Sequence, residues 1–180
     1  LIVSNLLFQW CDDLTLLLQE CYRILSPNGF LLFTTLGPDT LKEISQSWQQ
    51  IDDTPHVHGF IDMHHIGDQL QKSNYIDAVM DTDHITMNYP NAEALFYDLK
   101  KNGARNIHPQ RRKSLTGKNK FMQFIHQYQQ MADEQGRLPA SFEVIFGQAW
   151  KSAVNTSAAD DSGEIRIAPI QINRVKNENQ

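Results

Sequence analysis

The chain has 180 residues, of which 41% are hydrophobic and 21% are charged, and its formal net charge is −5. This composition is typical of a soluble globular domain with a core. It excludes a transmembrane chain, because no apolar run approaches the roughly 20 residues that a membrane-spanning helix needs.

The N-terminal part predicts a strand, a helix and a second strand. Residues 1–3 are interpreted as the end of a buried strand. Asp12 or Asp13 is the candidate N-cap of a helix whose apolar residues recur at three- and four-residue spacing. A Ser-Pro-Asn-Gly turn at residues 26–29 ends that helix. The continuous apolar run 30–36 predicts a central parallel strand that is covered on both faces.

The middle of the chain continues the alternation of helices and strands. A Gly-Pro-Asp turn at residues 37–39 opens a short helix with apolar residues on one face from 41 to 48. Residues 50–60 are polar and predict a loop. Residues 62–71 predict a helix capped by its first residue, and residues 75–89 alternate in the manner of a strand.

The last predicted elements are two helices and a strand. Asn91 is the candidate cap of a helix that Gly103 ends. Residues 104–116 form a basic loop before a longer helix over 117–135. Apolar and polar residues then alternate over 141–150, which predicts another strand.

Together these elements predict an α/β fold, namely a doubly wound, Rossmann-like sheet with an antiparallel edge hairpin. In such sheets the ligand lies beyond the carboxyl ends of the strands. Residues 4–10, 34–37 and 56–63 are therefore the candidate site. Residues 153–180 are interpreted as a polar, mobile tail, to which Ile165, Ile167 and Ile170 could add an edge strand.

Cys11 and Cys21 are the two cysteines of the chain. They are predicted to lie along one helix and its entry, a separation at which a disulfide cannot form. Free thiols and the absence of a disulfide framework favour a cytoplasmic location.

Five segments carry a resemblance to a known family. Residues 4–11 resemble the family pattern SNLALQW, residues 20–29 resemble E-x-x-R-V-L-x-P-x-G, and residues 33–43 match FTTLGPDTLKE closely. Residues 56–70 are similar to HVNxFxDMHDIGDxL, and residues 138–145 to LPATYEVI. The family is the malonyl-[acyl-carrier protein] O-methyltransferases of biotin synthesis, which are class I S-adenosylmethionine-dependent methyltransferases.

The resemblance runs from Leu1 to about Trp150, and its FTTLGPDTLKE and LPATYEVI segments are the specific ones. Two family features have no counterpart here, namely the Gly-rich cofactor loop after the first strand and the acidic residue that holds the cofactor ribose. Both belong upstream of Leu1. Residues 1–152 are therefore expected to be the C-terminal part of a methyltransferase domain whose N-terminal part is missing.

The resemblance implies methyl transfer from S-adenosylmethionine to the free carboxylate of malonyl-acyl carrier protein. A simple carboxyl group ionises near pH ~4, so this acceptor needs no general base at neutral pH. Catalysis then depends on alignment and on exclusion of water, and no residue is assigned a catalytic role. Transfer to another small acceptor, such as a quinone precursor or a fatty acid, and a truncated non-catalytic module are the alternatives.

The resemblance assigns Ser4, Asn5 and Leu6 to the amino-acid part and methyl group of the cofactor. The predicted substrate pocket consists of Gln9, Trp10, Thr34, Thr35, His56 and Phe60. Strand alternation allows only one of the two threonines to face the pocket. Three simpler interpretations stay open: Asn5 could satisfy its own turn, Trp10 could anchor the core, and Phe60 could be packing rather than an apolar gate.

Four histidines, His56, His58, His64 and His65, raise the possibility of a metal site. They lack a carboxylate-histidine pattern at a recognised spacing, and His64 and His65 are adjacent on a predicted helix and face different directions. No metal is predicted, and His56 is instead expected to line the pocket.

The basic residues are concentrated in one part of the chain. Residues 99–132 contain eight of the 16 lysines and arginines and no acidic residue, so the remainder carries −13. Such a segment indicates an anionic partner or simply a solvated face. The resemblance points to acyl carrier protein, with docking residues Arg111, Arg112, Lys113 and Lys118. Nucleic acid is disfavoured, since residues 105–120 contain no aromatic side chain to stack on bases.

Overall fold

The computed structural model describes residues 1–153 of the chain. The predicted tail strand around Ile165, Ile167 and Ile170 lies outside these residues. The elements are β1 Ile2–Asn5, α1 Leu14–Ile24, β2 Phe30–Leu36, α2 Lys42–Gln49, α3 Met63–Lys72, β3 Tyr75–Tyr89, α4 Ala92–Lys101, α5 Lys118–Gln129 and β4 Leu138–Lys151. A 3-10 turn, Phe8–Trp10, follows β1. None of the described helices has both the length and the apolar character that a membrane span requires.

The four strands form one sheet in the order β1-β2-β4-β3. β1 and β2 are parallel, and β4 is antiparallel to both of its neighbours. The expected antiparallel pair is therefore present on one side of a parallel sheet. β4, the last strand in sequence, lies inside the sheet, however, and β3 forms the edge.

Side-chain caps begin three of the helices. The carboxylate of Asp13 accepts the N–H of Leu16 at the start of α1, and Asp62 accepts the N–H of His64 at the start of α3. Asn91 caps α4 through the N–H of Ala94. These short polar side chains satisfy N–H groups that have no partner within the helix.

The helix α5 ends at Gln129, six residues before its predicted end at residue 135. The cause is Asp133, whose Oδ1 accepts the N–H groups of Gln135 and Arg137 at 2.9 and 2.8 Å. This side chain offers the backbone a turn instead of a further helical turn. Gly136, with a φ of 73°, completes the turn that leads into β4.

The two faces of the sheet carry two separate apolar clusters. On β4, Ile145 and Ala149 pack into a cluster with α1 and α3, while Leu138 and Ala140 pack into a cluster with α2, α4 and α5. Odd- and even-numbered residues of a strand point to opposite faces, so β4 joins both clusters.

The prediction that β2 is covered on both faces is wrong for the described part of the chain. Leu31 and Phe33 are buried against α1 and α3, but Leu32 on the opposite face is 39% exposed. The expectation of a buried first strand also fails, since Leu1 and Val3 are 81% and 63% exposed. The reason is that no described helix covers this part of the sheet.

Candidate functional site

Two cavities meet beside the carboxyl ends of β1 and β2. The first, here called the apolar cavity, has a volume of about 270 Å³ and extends from Gln9 and Trp10 to the end of α4. The second, the neighbouring cavity, has a volume of about 600 Å³ and lies toward α1. Both contain Gln9, Leu36, His58 and Phe60 in their walls, so these side chains separate one cavity from the other.

The tip of β1 is fastened to β2 through Thr34. The N–H of Leu6, which has a φ of 49°, donates to the carbonyl oxygen and to Oγ1 of Thr34 at 3.1 and 3.0 Å. The Thr34 hydroxyl donates to Oδ1 of Asn5. Asn5 therefore does have a structural use at this turn, as the simpler interpretation requires. The hydroxyl of Ser4 is buried and has no hydrogen-bond partner in residues 1–153.

Thr34 and Thr35 have different surroundings, as strand alternation requires. Thr35 is 4% exposed and lines the neighbouring cavity. Its hydroxyl donates to Oε1 of Gln9 at 3.3 Å. Thr34 is absent from the walls of both cavities, and its hydroxyl is bonded to Asn5 at the β1 tip.

Gln9 and Trp10 are positioned by the 3-10 turn that follows β1. The Gln9 side chain donates from Nε2 to the carbonyl oxygen of Leu6 at 2.7 Å, which holds its amide between the β1 tip and Thr35. Trp10 is 39% exposed and lies in the wall of the apolar cavity, so it is not a core anchor.

His56 lines the apolar cavity and is held by two neighbours. Its ring stacks on Trp48 with centroids 3.7 Å apart, and its Nε2 lies 2.9 Å from Oδ1 of Asp52. The other carboxylate oxygen of Asp52 accepts from Nζ of Lys120 at 2.8 Å. The hydrogen bond from Lys120, with that of His56, lowers the pKa of Asp52 to about 2. The loop is thereby fixed to α5.

Phe60 and His58 form part of the wall between the two cavities. Their rings meet edge to face, with centroids 5.5 Å apart. Burial lowers the pKa of His58, so its imidazole is neutral at physiological pH. Its Nδ1 is buried and has no hydrogen-bond partner among the described residues. The sequence singled out Phe60, but it offered His58 only as a metal ligand.

The four histidines considered for a metal site have different surroundings. His56 pairs with Asp52, His58 lies in the cavity wall, and His64 and His65 are exposed on α3. A different group in residues 1–153, Asp39, His84 and Glu143, has ligand atoms within 4.8 Å of one another.

That group functions as the closure of the turn after β2. The carboxylate of Asp39 is 3.1 Å from Lys42 Nζ and 3.6 Å from His84 Nε2, and the pairing with Lys42 lowers its pKa. Glu143 Oε2 accepts the N–H of Asp39 at 2.8 Å. These contacts account for the three side chains without an ion.

Two basic residues that the sequence did not assign to the pocket, Lys100 and Arg105, line the apolar cavity. Both are exposed, so they lie at its mouth. Their position in the basic segment was the only signal in the sequence. The basic segment does not reveal that the end of α4 lies across the cavity from Gln9, because this arrangement depends on the tertiary structure.

The predicted docking residues are exposed and lie together around the start of α5. Arg111 donates to the carbonyl oxygen of His108, and Arg112 to the hydroxyl of Ser114. Lys113 follows in the same loop, and Lys118 is the first residue of α5. Within residues 1–153 no carboxylate pairs with any of the four, so their charges face solvent.

The sequence is similar to proteins of one activity. A family model described as a methyltransferase domain matches residues 1–33. Malonyl-[acyl-carrier protein] O-methyltransferase 1 of Coxiella burnetii is 46% identical over 94% of this chain and 59% of its own length. The malonyl-[acyl-carrier protein] O-methyltransferase of Nitrosospira multiformis is 45% identical over 87% of the chain and 51% of its own length. The chain thus spans little more than half the length of these curated relatives.

Solved structures agree on the fold. A candidate methyltransferase from Bacillus halodurans superposes with a TM-score of 0.50 at 15% identity, over 83% of this chain and 63% of that one. The YcgJ protein from Bacillus subtilis gives a TM-score of 0.52 at 11% identity, over 84% and 63%. The chain is therefore similar to named malonyl-[acyl-carrier protein] O-methyltransferases over nearly its whole length, and it shares its fold with these two solved structures.

Proposed function

We propose that the complete protein containing this chain transfers a methyl group from S-adenosylmethionine to the free carboxylate of malonyl-acyl carrier protein, an early step of biotin synthesis. The observation that carries this proposal is the 46% identity to a named malonyl-[acyl-carrier protein] O-methyltransferase over 94% of the chain. The apolar cavity beside the β1 tip supports it, because an acyl thioester can lie along its wall.

The residues at the β1 tip suit one end of the methyl donor. The buried hydroxyl of Ser4 has no partner in the described part of the chain, as expected of a group that awaits a ligand. Asn5 and Leu6 already bond to Thr34 through their Oδ1 and N–H, so they contribute mainly by shaping the tip. When bound, S-adenosylmethionine supplies an electrophilic methyl group on a positively charged sulfur.

The reaction requires the protein to orient the reactants and to exclude water, and it requires no general base. A malonyl carboxylate is ionised at neutral pH. Its oxygen bonds to the methyl carbon as the carbon–sulfur bond breaks, the bonding electrons pass to sulfur, and no proton moves. Both charges disappear in the ester and thioether products, so an apolar environment favours the transition state over the separated ions.

Six side chains are proposed to provide this environment. Phe60 and Leu36 would shield the acceptor from water at the junction of the two cavities, and Gln9 and Thr35 would orient it through their hydrogen-bonded pair. Trp10 and His56 would form the remaining walls. Each acts by position, so we expect partial rather than complete losses when one is changed.

The proposed partner is acyl carrier protein, whose acidic helix would meet Arg111, Arg112, Lys113 and Lys118. Four cations that form no ion pair within residues 1–153, on one surface of an otherwise acidic chain, support this pairing. The free thiols of Cys11 and Cys21 support a cytoplasmic location.

The test is methyl transfer by the complete protein from S-adenosylmethionine labelled in the methyl group. Malonyl-carrier protein is expected to be labelled as a base-labile methyl ester. Acetyl-carrier protein is the matched control, because it keeps the thioester and the carrier but lacks the carboxylate. Equal rates with free malonate and with malonyl-carrier protein would contradict the proposal and favour a small-molecule acceptor.

A further inference from the structure

The apolar cavity extends across the sheet. Gln9 and Trp10 enter its wall from the β1 side, and Leu36 at the end of β2 and Phe142 on β4 follow. Lys100 comes from the end of α4, which follows β3 at the opposite edge, and Arg105 comes from the loop after α4. The cavity wall thus combines side chains from the carboxyl ends of β1 and β2 with side chains from α4 and the loop that follows it.

The charge on the cavity wall is confined to one end. Among the residues that the structure describes, Lys100 and Arg105 are the lysine and arginine in the wall, and no aspartate or glutamate lines the cavity. Other cations of this chain have partners: Lys120 pairs with Asp52, and Lys42 pairs with Asp39. Lys100 and Arg105 form no ion pair within residues 1–153, so an anion at the mouth would meet two uncompensated positive charges.

The anion at this mouth is unlike the reacting carboxylate. Methyl transfer is proposed to take place near the β1 tip, whereas the two cations come from the end of α4 and the loop after it, in a wall that is otherwise mostly apolar. A carboxylate held by two solvated cations would also be a weaker nucleophile, because its charge would be stabilised before reaction. The mouth therefore suits a second anion on the same substrate, separated from the acyl group by an uncharged segment.

We propose that Lys100 and Arg105 bind the phosphate of the phosphopantetheine arm on which the malonyl group is carried, while the uncharged pantetheine part lies along the apolar cavity. This inference depends on the proposed function. An arginine guanidinium donates two parallel hydrogen bonds to phosphate oxygens, and a lysine adds a point charge. The basic loop that contains Arg111–Lys113 continues from Arg105, so the carrier protein itself would dock beside the mouth.

The experiment compares malonyl-phosphopantetheine with malonyl-pantetheine, which differ only in the phosphate. The variants are Lys100→Gln, Arg105→Gln and the double variant of the complete protein, with Lys101→Gln as matched control. Lys101 is exposed on the same helix but does not line the cavity. The wild type is expected to show a KM about tenfold lower for the phosphorylated compound, from two partly solvated charge-assisted contacts.

In the double variant the ratio of the KM values of the two compounds should fall to about one. The KM for malonyl-pantetheine and kcat should be nearly unchanged. Lys101→Gln should keep the wild-type ratio. A double variant that retains the phosphate preference, or a control that loses it equally, would overturn the inference. A general folding defect would raise both KM values or lower kcat instead, which the malonyl-pantetheine arm reveals.

Calorimetric binding of phosphopantetheine and pantetheine, without the malonyl group, separates this inference from the proposed function. If the wild type binds phosphopantetheine more tightly and the double variant does not, the site stands even if no malonyl compound is methylated. If the two compounds bind the wild type equally, the site fails even if malonyl-carrier protein is methylated.

Discussion

The imidazole of His56 lies flat on the indole of Trp48, with planes within 5° of parallel and centroids 3.7 Å apart. Trp48 stacks in turn on Phe124 of α5 at 4.7 Å. Since Asp52 also joins His56 to Lys120, the loop over residues 50–60 is attached to α5 through both apolar and ionic contacts. This attachment places a wall of the candidate site on the rigid core.

The ionic part of this attachment should depend on pH. The pKa of Asp52 is lowered to about 2 in the folded protein, against about 3.9 for an unperturbed aspartate. Its contribution to the free energy of unfolding is therefore complete above pH ~4 and is lost as the pH falls toward 2. We expect a loss of about 1–2 kcal/mol, reduced by the partial exposure of Lys120. Urea unfolding at pH 5 and at pH 2.5 would measure it.

Asp52→Asn is the matched variant for this measurement. It should be less stable than the wild type at pH 5 and should lack this part of the acid-induced loss. Asp39 and Asp62 also have lowered pKa values and titrate in both proteins, so only the difference between the two pH profiles counts. Parallel profiles for the two proteins would contradict the assignment.

Gly147 on β4 is expected to tolerate no side chain. A Cβ at this position would overlap the ring of Phe33, its partner on β2, which is packed in the buried cluster under α1 and α3. Gly147→Ala should lower the free energy of unfolding by about 1–3 kcal/mol through overpacking. The control is Gly67→Ala, because Gly67 lies within α3 and a Cβ there meets nothing within 4 Å. That change should stabilise the protein by about 0.5–1 kcal/mol. Equal effects of the two variants in urea unfolding would refute this packing argument.

Phe60 is predicted to act by excluding water from the reacting carboxylate. Phe60→Ala should lower kcat for malonyl-carrier protein by about tenfold, and Phe60→Leu should recover most of the loss, since an apolar side chain suffices. The phosphate preference of the small substrates should stay as in the wild type, because the change leaves both cations at the mouth in place. If Phe60→Ala changes KM alone, the side chain contributes to binding rather than to desolvation.

The docking surface is predicted to act through long-range charge. Replacing Arg111, Arg112 and Lys113 by glutamate should raise the KM for malonyl-carrier protein about tenfold at low salt. The effect should shrink at 0.5 M NaCl, where charges more than a few ångströms apart are screened. Malonyl-pantetheine, which has no carrier protein, should be used equally well by both proteins. A similar loss with malonyl-pantetheine would place these residues outside carrier recognition.

The sequence predicts local elements well where turn or cap residues and the apolar periodicity agree. The strand over residues 30–36 has its predicted bounds, because an apolar run lies between the turn at 26–29 and Gly37. Three helix caps, at Asp13, Asp62 and Asn91, are confirmed. Such features depend on contacts a few residues apart, which a single sequence carries.

The sequence is silent on arrangement across the chain. Period-two alternation predicts the strand over 141–150, which lies within β4, but not its neighbours, so its place between β2 and β3 could not be derived. The same limit explains why Lys100 and Arg105 were not assigned to the pocket that contains Gln9. Likewise, alternation separates Thr34 from Thr35 but does not say which of them faces a cavity.

The central position of β4 has a consequence for synthesis of the chain. The ribosome completes β2 and β3 long before residues 138–151 emerge, and until then each of these strands has an open edge toward the missing β4. Closure must also await α4 and α5, so the decisive pairings span distant parts of the chain and form late. A nascent chain stalled just short of Leu138 would therefore expose two unpaired strand edges at once. Such a chain would need protection by a chaperone until translation resumes.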